Sequence, residues 1–177
     1  MIKICFVCLG NICRSPMAEY IMKKKLKDLN LENEYHIVSR ATSYEEQGND
    51  IYPPAKRKLT EENIPFSNHT ATRLEKDDYN KYDYFICMEQ RNITNTLRIF
   101  ESDPSNKIFT LLDKDIADPW YTGNFDDTYN DLDIGLNKLI NNLKKKWNTS
   151  FFCCYIRVKL AFLPILWYNI PTYWKGG

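Results

Sequence analysis

The chain has 177 residues, 44% of them hydrophobic and 27% charged, with a formal net charge of +1. That is enough for one domain with a real core and a soluble surface. A balance so close to neutral offers no broad field for nucleic acid or an acidic membrane, so any anion site must be local.

In chain order, residues 2–7 read as a short buried strand rich in Ile, Phe and Val. Residues 8–14 form a polar turn carrying Gly10 and Asn11. Ser15-Pro16 reads as a helix start, with Ser15 at the N-cap, Pro16 at N1 and Glu19 in the first turn. Ala18, Ile21, Met22, Leu26 and Leu29 follow at helical spacing. Residues 35–39 are a second strand, 40–52 a polar loop, and Pro53-Pro54 opens a short helix to residue 63. Residues 69–74 are irregular, and 75–79 make one helical turn. The run YDYFICM at 82–88 is the most strand-like of all, followed by a helix at 89–100 and a strand at 107–111. A long polar loop, 112–125, holds Asp118-Pro119-Trp120-Tyr121. Leu132, Leu136, Leu139, Ile140, Leu143 and Trp147 then mark an amphipathic helix.

Strands alternating with helices predict an α/β fold, a parallel sheet with helices on both faces. In such sheets ligands bind beyond the carboxyl ends of the strands, and Cys8 lies at one of them. Residues 151–173 differ in character: aromatic and apolar without a clean period, interrupted by Arg157 and Lys159 and broken by Pro164. The run 160–168 falls short of the roughly 20 apolar residues of a membrane helix. The expected organisation is a domain at 1–147 and an atypical extension at 148–177. The extension reads as an extra packing segment or, alternatively, a membrane-surface or partner-binding one.

The six cysteines are Cys5, Cys8, Cys13, Cys87, Cys153 and Cys154. An even count admits a secreted disulfide framework, but such scaffolds are usually under about 80 residues. The first apolar run contains Lys3 and stops at Gly10-Asn11, short of a signal peptide's hydrophobic stretch. The expected compartment is the reducing cytosol, where clustered cysteines point to catalysis or metal rather than to bridges.

The segment CLGNICRS at 8–15 carries the chemistry. It sets a thiol at the end of a strand, an arginine six residues on, and a helix immediately after. A loop running into a helix N-terminus aims backbone N–H groups at a common centre, where the helix dipole favours an anion. Gly10 permits tight turning and close approach. Arg14 offers a planar fork for two phosphate oxygens. The same positive surroundings favour the Cys8 thiolate, and Ser15 is placed to donate a hydrogen bond to the sulfur. A thiolate attacking a phosphate monoester expels an alkoxide or phenoxide that needs a proton, so a carboxylic acid is expected nearby. Asp118 is the candidate, stiffened by Pro119, with Trp120 and Tyr121 walling a slot for an aromatic ring.

CLGNICRSPMAE together with DPWY, SRATS at 39–43 and YDYFICMEQRN at 82–92 resembles the low-molecular-weight protein-tyrosine phosphatases, over roughly residues 1–147. The resemblance implies a four-stranded parallel sheet flanked by helices, with the phosphate-binding loop after strand 1. It implies hydrolysis through a phosphocysteine, needing no metal or cofactor. Cys8 would be the nucleophile and Arg14 the clamp. Leu9, Gly10, Asn11, Ile12, Cys13, Arg14 and Ser15 would cradle phosphate. Asp118 would protonate the leaving group and then activate water. Asn11, Ser15, Ser39 and His69 match positions that brace the loop. Tyr44, Glu45, Trp120 and Tyr121 fall at the pocket mouth. Cys13 matches a second loop cysteine that pairs with the nucleophile on oxidation. The implied partner is a phosphotyrosine protein or a small phosphate ester, with no nucleic acid and no membrane. One departure stands out: Thr72, in HTATRL, replaces an arginine usual in the family.

Three other readings remain open. Arsenate reduction on the same scaffold needs two more cysteines in a mobile segment, whereas Cys87 lies in a strand and none follows before Cys153. Phosphoarginine phosphatases of the family usually carry Thr at the position of Ile12, and an apolar Ile suits a phenyl ring better than a guanidinium. A silent phosphate-binding or redox-sensing module would not need Cys8, Arg14 and Asp118 together.

Overall fold

The computed structural model describes the backbone of residues 1–161 and side chains as far as residue 145. Strands β1 (Ile2–Cys8), β2 (Tyr35–Ala41), β3 (Tyr84–Cys87) and β4 (Ile108–Thr110) form one parallel sheet in the order β2-β1-β3-β4. The register pairs Cys8 with Ala41, Val7 with Cys87, and Cys87 with Thr110, so the four carboxyl ends line up along one edge. The chain runs to one side of β1 for β2 and to the other for β3. Such a reversal opens a crevice above the strand end.

Both faces of the central strands are buried. Cys5 and Val7 pack with Phe85, Cys87, Leu74, Tyr82 and Phe100, while Ile4, Phe6 and Ile86, alternating with them, are fully buried as well. A sheet covered on both sides calls for continuous apolar strands, hence the unalternated IKICFVC. Each such side chain contributes roughly 1.5–3 kcal/mol by leaving water. Helix α1 (Arg14–Asp28) packs on β1 and β2, α2 (Pro53–Glu61) on α1, and α3 (Gln90–Phe100) on β3 and β4. Helices α4 (Pro119–Thr122) and α5 (Phe125–Ala161) complete the order. Gly135 of α5 lies against Leu111: a Cβ there would stand 2.6 Å from the Leu111 Cγ, so no larger residue fits without displacement. The chain divides into two compact units, Met1–Leu139 and Ile140–Gly177, and every site residue discussed below lies in the first.

Four expectations need correction. Helix α1 starts at Arg14, so Cys13 rather than Ser15 is its N-cap and Pro16 sits third; no acidic residue lies in the first turn. Proline is tolerated there because the first four N–H groups have no helical partner. Leu29 follows the helix as its C-cap and is largely exposed. The supposed loop at 112–125 contains α4, with Asp118 as N-cap and Pro119 at N1. Aspartate before proline is itself a helix-start pattern. The last helix runs to Ala161, beyond the end expected at Trp147. The Trp147 side chain and the readings of the extension past residue 161 fall outside the described residues. Among the described residues, no helix is long and apolar enough to cross a membrane.

Candidate active site

Cys8 closes β1, and the loop after it turns through Asn11 at φ 60°. Asparagine is one of the few residues that tolerate this left-handed conformation. The turn brings the Asn11 N–H to 3.2 Å from Cys8 Sγ, with Ser15 Oγ 3.0 Å from the same sulfur. The backbone N–H groups of Ile12, Cys13, Arg14 and Ser15 have no acceptor among the described residues. They are the orphan donors of a helix start, aimed where the dipole favours an anion. A Cβ on Gly10 would meet the Glu46 side chain at 2.9 Å, so the loop passes where a larger residue would push that side chain aside.

Hydrogen-bond inventory fixes the polarity around the sulfur. The Thr72 N–H donates to Asn11 Oδ1 at 3.1 Å, which sets the amide's orientation. Asn11 Nδ2 then donates to Ser15 Oγ at 2.8 Å and to Ser39 Oγ at 2.9 Å. Ser39 gives its proton to Glu19 Oε2 at 2.6 Å, and Glu19 is also paired with Lys23. A serine hydroxyl has one proton to give. That of Ser15 is left to donate to Cys8 Sγ. His69 Nε2 donates to the Asn11 carbonyl at 2.8 Å, bracing the turn from outside. Thr72 braces it through its backbone, so the missing arginine side chain leaves that tie intact.

Arg14, at the first position of α1, is 2% exposed and faces two carboxylates. Its Nη1 lies 3.2 Å from Glu89 Oε2 and donates to the Ile116 carbonyl at 3.2 Å. Its Nη2 donates to Glu89 Oε1 at 3.4 Å and to Asp118 Oδ2 at 2.5 Å. Burial pulls the guanidinium's pKa down, but Cys8, Asp118 and Glu89 outweigh it and hold it above its ordinary value. Asp118 Oδ1 accepts the Trp120 N–H at 3.1 Å, capping α4.

A cleft is lined by Cys8 through Arg14, Asp118, Trp120 and Tyr121, with Glu45 and Glu46 on its rim. The sequence-predicted set is therefore brought together, with three qualifications of place. Tyr44 does not line the cleft: its ring carries the Arg73 guanidinium, 4.4 Å from the centroid. Ile12 lines the cleft yet is mostly buried, packed with Cys13, Ala71, Tyr52 and Phe125. Ser39 and His69 stand behind the loop rather than in the cleft. Sequence reasoning missed Glu89, Glu46, the catalytic-side carbonyl of Ile116 and the network role of Glu19. A carboxylate two residues past the end of β3 was the available signal for Glu89.

The other thiols differ from Cys8 in their surroundings. Burial pushes Cys13 up, with Cys8 and Asp118 adding to the effect. Burial pushes Cys87 up to about 12. Both therefore stay protonated near neutral pH, and among the described cysteines Cys8 sits among converging donors. The described cysteines are all free.

Residues 3–149 match the family model of the low molecular weight phosphotyrosine protein phosphatases. The chain is 38% identical over 154 residues to the low molecular weight protein-tyrosine-phosphatase PtpA of Staphylococcus saprophyticus, covering 84% of this chain and 97% of that protein. It superposes on YfkJ of Bacillus subtilis with a TM-score of 0.80 at 32% identity, over 82% of this chain and 96% of that one. It superposes on the low molecular weight protein tyrosine phosphatase of Streptococcus pyogenes with a TM-score of 0.76 at 35% identity, over 81% and 93%.

Proposed function

The chain belongs to the low-molecular-weight protein-tyrosine phosphatase family, an enzyme family, and from that membership we propose that it hydrolyses phosphotyrosine and small aryl phosphates through a phosphocysteine on Cys8. The observation that supports this reading is the convergence of the Cys8 thiol, the Arg14 guanidinium and the Asp118 carboxylate on a single cleft at a helix N-terminus. The phosphate dianion sits on the loop N–H groups and Arg14, displacing Asp118 from Nη2. The Cys8 thiolate attacks phosphorus; the S–P bond forms, the P–O bond breaks, and Asp118 as neutral acid gives its proton to the departing phenoxide. Water then attacks phosphorus, Asp118 takes a proton from it, and the S–P bond breaks. The returning thiolate accepts hydrogen bonds from the Asn11 N–H and the Ser15 hydroxyl. The first step calls for the protonated carboxyl of Asp118, because a carboxylate has no proton to give the leaving oxygen.

The mouth supports an aromatic substrate. Trp120 and Tyr121 are exposed on the cleft wall, where a phenyl ring buries apolar area at about 25 cal/mol per Å². Phosphoserine is too short to reach them, and phosphoarginine would bring a polar guanidinium against Ile12. The reacting unit is taken as residues 1–147, with 148–177 outside the chemistry. Buried free thiols suit a reducing, cytoplasmic setting.

Kinetics with matched peptides test the reading. Phosphotyrosine is expected to exceed phosphoserine and phosphoarginine in kcat/KM, Ile12→Thr to narrow the gap to phosphoarginine, and Cys8→Ser to abolish turnover without unfolding. Chelation is expected to leave activity unchanged. A wild-type preference for phosphoarginine overturns the substrate; turnover in Cys8→Ser overturns the covalent mechanism.

A further inference from the structure

We propose that Tyr52, which lies outside the reacting groups, is a positioning residue that holds the acid-bearing helix α4 against the phosphate loop during the chemical step. The inference rests on the reading of Asp118 as general acid. Tyr52 precedes Pro53-Pro54 and is the N-cap of α2, at φ −56° and ψ 132°. A residue before proline is confined to this extended region, so the backbone sets the direction of its Cα–Cβ bond. Its N–H donates to the Ile12 carbonyl at 2.9 Å, fastening it to the phosphate loop. Its ring packs against the cluster of Ile12, Cys13 and Ala71 beneath that loop. The opposite contacts reach the acid: the ring centroid lies 4.9 Å from that of Trp120 at a 55° tilt, and 6.3 Å from that of Phe125 at the start of α5. One side chain thus touches both the phosphate loop and the two elements that follow Asp118.

Helix α4 needs such a hold. It has four residues, and a single turn is not stable by itself. Its other polar ties to the rest of the fold are few: Ile116 N–H to the Met88 carbonyl at 2.9 Å, Thr128 Oγ1 to the Ala117 carbonyl at 3.2 Å, Arg14 Nη1 to the Ile116 carbonyl at 3.2 Å, and the Arg14–Asp118 pair. The last is surrendered when phosphate takes Nη2. The first three hold the chain before Asp118, leaving rotation of α4 about that residue to the buried Pro119 and to Trp120 with its partner ring. Among the described residues the Tyr52 hydroxyl makes no hydrogen bond, so the ring alone does this.

Turnover of phenyl phosphate and p-nitrophenyl phosphate by the full chain tests the proposal, since phenoxide leaves poorly and depends on the acid while nitrophenoxide does not. Tyr52→Leu keeps apolar bulk over Ile12 but loses the ring pair. It is expected to lose about 10-fold more kcat/KM on phenyl phosphate than on p-nitrophenyl phosphate, the scale of a displaced catalytic group. Inhibition by inorganic phosphate should not weaken, because the backbone tie from residue 52 to the Ile12 carbonyl is kept and leucine still covers Ile12. Tyr52→Phe is expected to restore the wild-type ratio. Trp120→Leu removes the same pair from an exposed position and should shift the ratio in the same direction, which covers a Tyr52→Leu that fails to fold. Asp118→Asn, run in parallel, should show the largest shift. If it does and the Tyr52 and Trp120 variants keep the wild-type ratio, the positioning role is overturned alone. An equal loss on both substrates in Tyr52→Leu, or a Tyr52→Phe as impaired as Tyr52→Leu, overturns it too. Absence of any shift in Asp118→Asn overturns the acid assignment, and this inference with it.

Discussion

Asp118 Oδ2 lies 2.5 Å from Arg14 Nη2, so the carboxylate and an incoming phosphate need the same guanidinium edge. The pair is only part-exposed, 2% for Arg14 and 18% for Asp118, and is correspondingly little screened.

Removing that competition should favour anions. Asp118→Ala is expected to bind inorganic phosphate several-fold more tightly than wild type, about 1 kcal/mol for a part-buried pair after the remaining groups relax, while turnover of phenyl phosphate collapses. Calorimetric titration at one pH and ionic strength measures it. Weaker phosphate binding would mean that Asp118 orders the arginine for its ligand rather than occupying its place.

In the proposed mechanism Ser15 is expected to act on the second half of the reaction. Its hydroxyl has Cys8 Sγ as its acceptor, because Ser39 receives the other Asn11 amide proton and passes its own to Glu19. Ser15→Ala should slow breakdown of the phosphocysteine by roughly 10- to 100-fold, the worth of a hydrogen bond to a charged sulfur. Rapid-mixing kinetics would show a larger burst ahead of a slower steady state. A uniform slowing without a burst would put the hydroxyl's role in the first step.

Cys13 lines the same cleft as Cys8, but burial keeps it protonated. Mild peroxide should oxidise Cys8 to a sulfenic acid, which the Cys13 thiol then attacks, expelling water and leaving a disulfide. Peptide mapping should recover a Cys8–Cys13 link, and thiols should restore activity. Cys13→Ser is expected to recover poorly; equal recovery would remove the protective role.

Acid stability should depend on Asp103. Its carboxylate accepts the N–H groups of Lys107 at 2.9 Å and Ile108 at 3.0 Å, and the Tyr79 hydroxyl at 2.7 Å, tying the α3–β4 turn to the start of β4. Burial pushes the carboxyl up, but these donors and the Lys107 charge outweigh it and hold it below the ordinary carboxylate range. With the folded value below the unfolded one, the stabilisation is complete above about pH 4 and disappears as pH falls through the folded value. Asp103→Asn should therefore unfold at lower urea than wild type at pH 7, with the two midpoints converging toward pH 2. A gap that is the same at both pH values would show that the charge plays no part.

Much of this protein is local, and what is local could be read directly. Past Lys3 the strand is continuously apolar because both its faces are covered there, and the residues after it must turn and enter a helix, so strand, phosphate loop and Arg14 were legible together. Asp118-Pro119 carried its own helix-start signal, although the surrounding polarity read as loop. Ser15 beside Pro16 also looked like a cap, and there the local pattern misled: the loop's tertiary contacts start α1 two residues earlier and turn the Ser15 hydroxyl to Cys8. The sequence by itself determined the α/β class and the loop from Cys8 to Arg14 after β1, and it raised the expectation of a carboxylate nearby. The tertiary structure decided which carboxylates reach Arg14 across 75 and 104 residues, that Tyr44 turns away to Arg73, and that Tyr52 bridges loop and acid. The physical reason is the register of a parallel sheet: pairing Val7 with Cys87 sets Glu89 beside the loop, and contacts between segments so far apart leave no periodic trace in either.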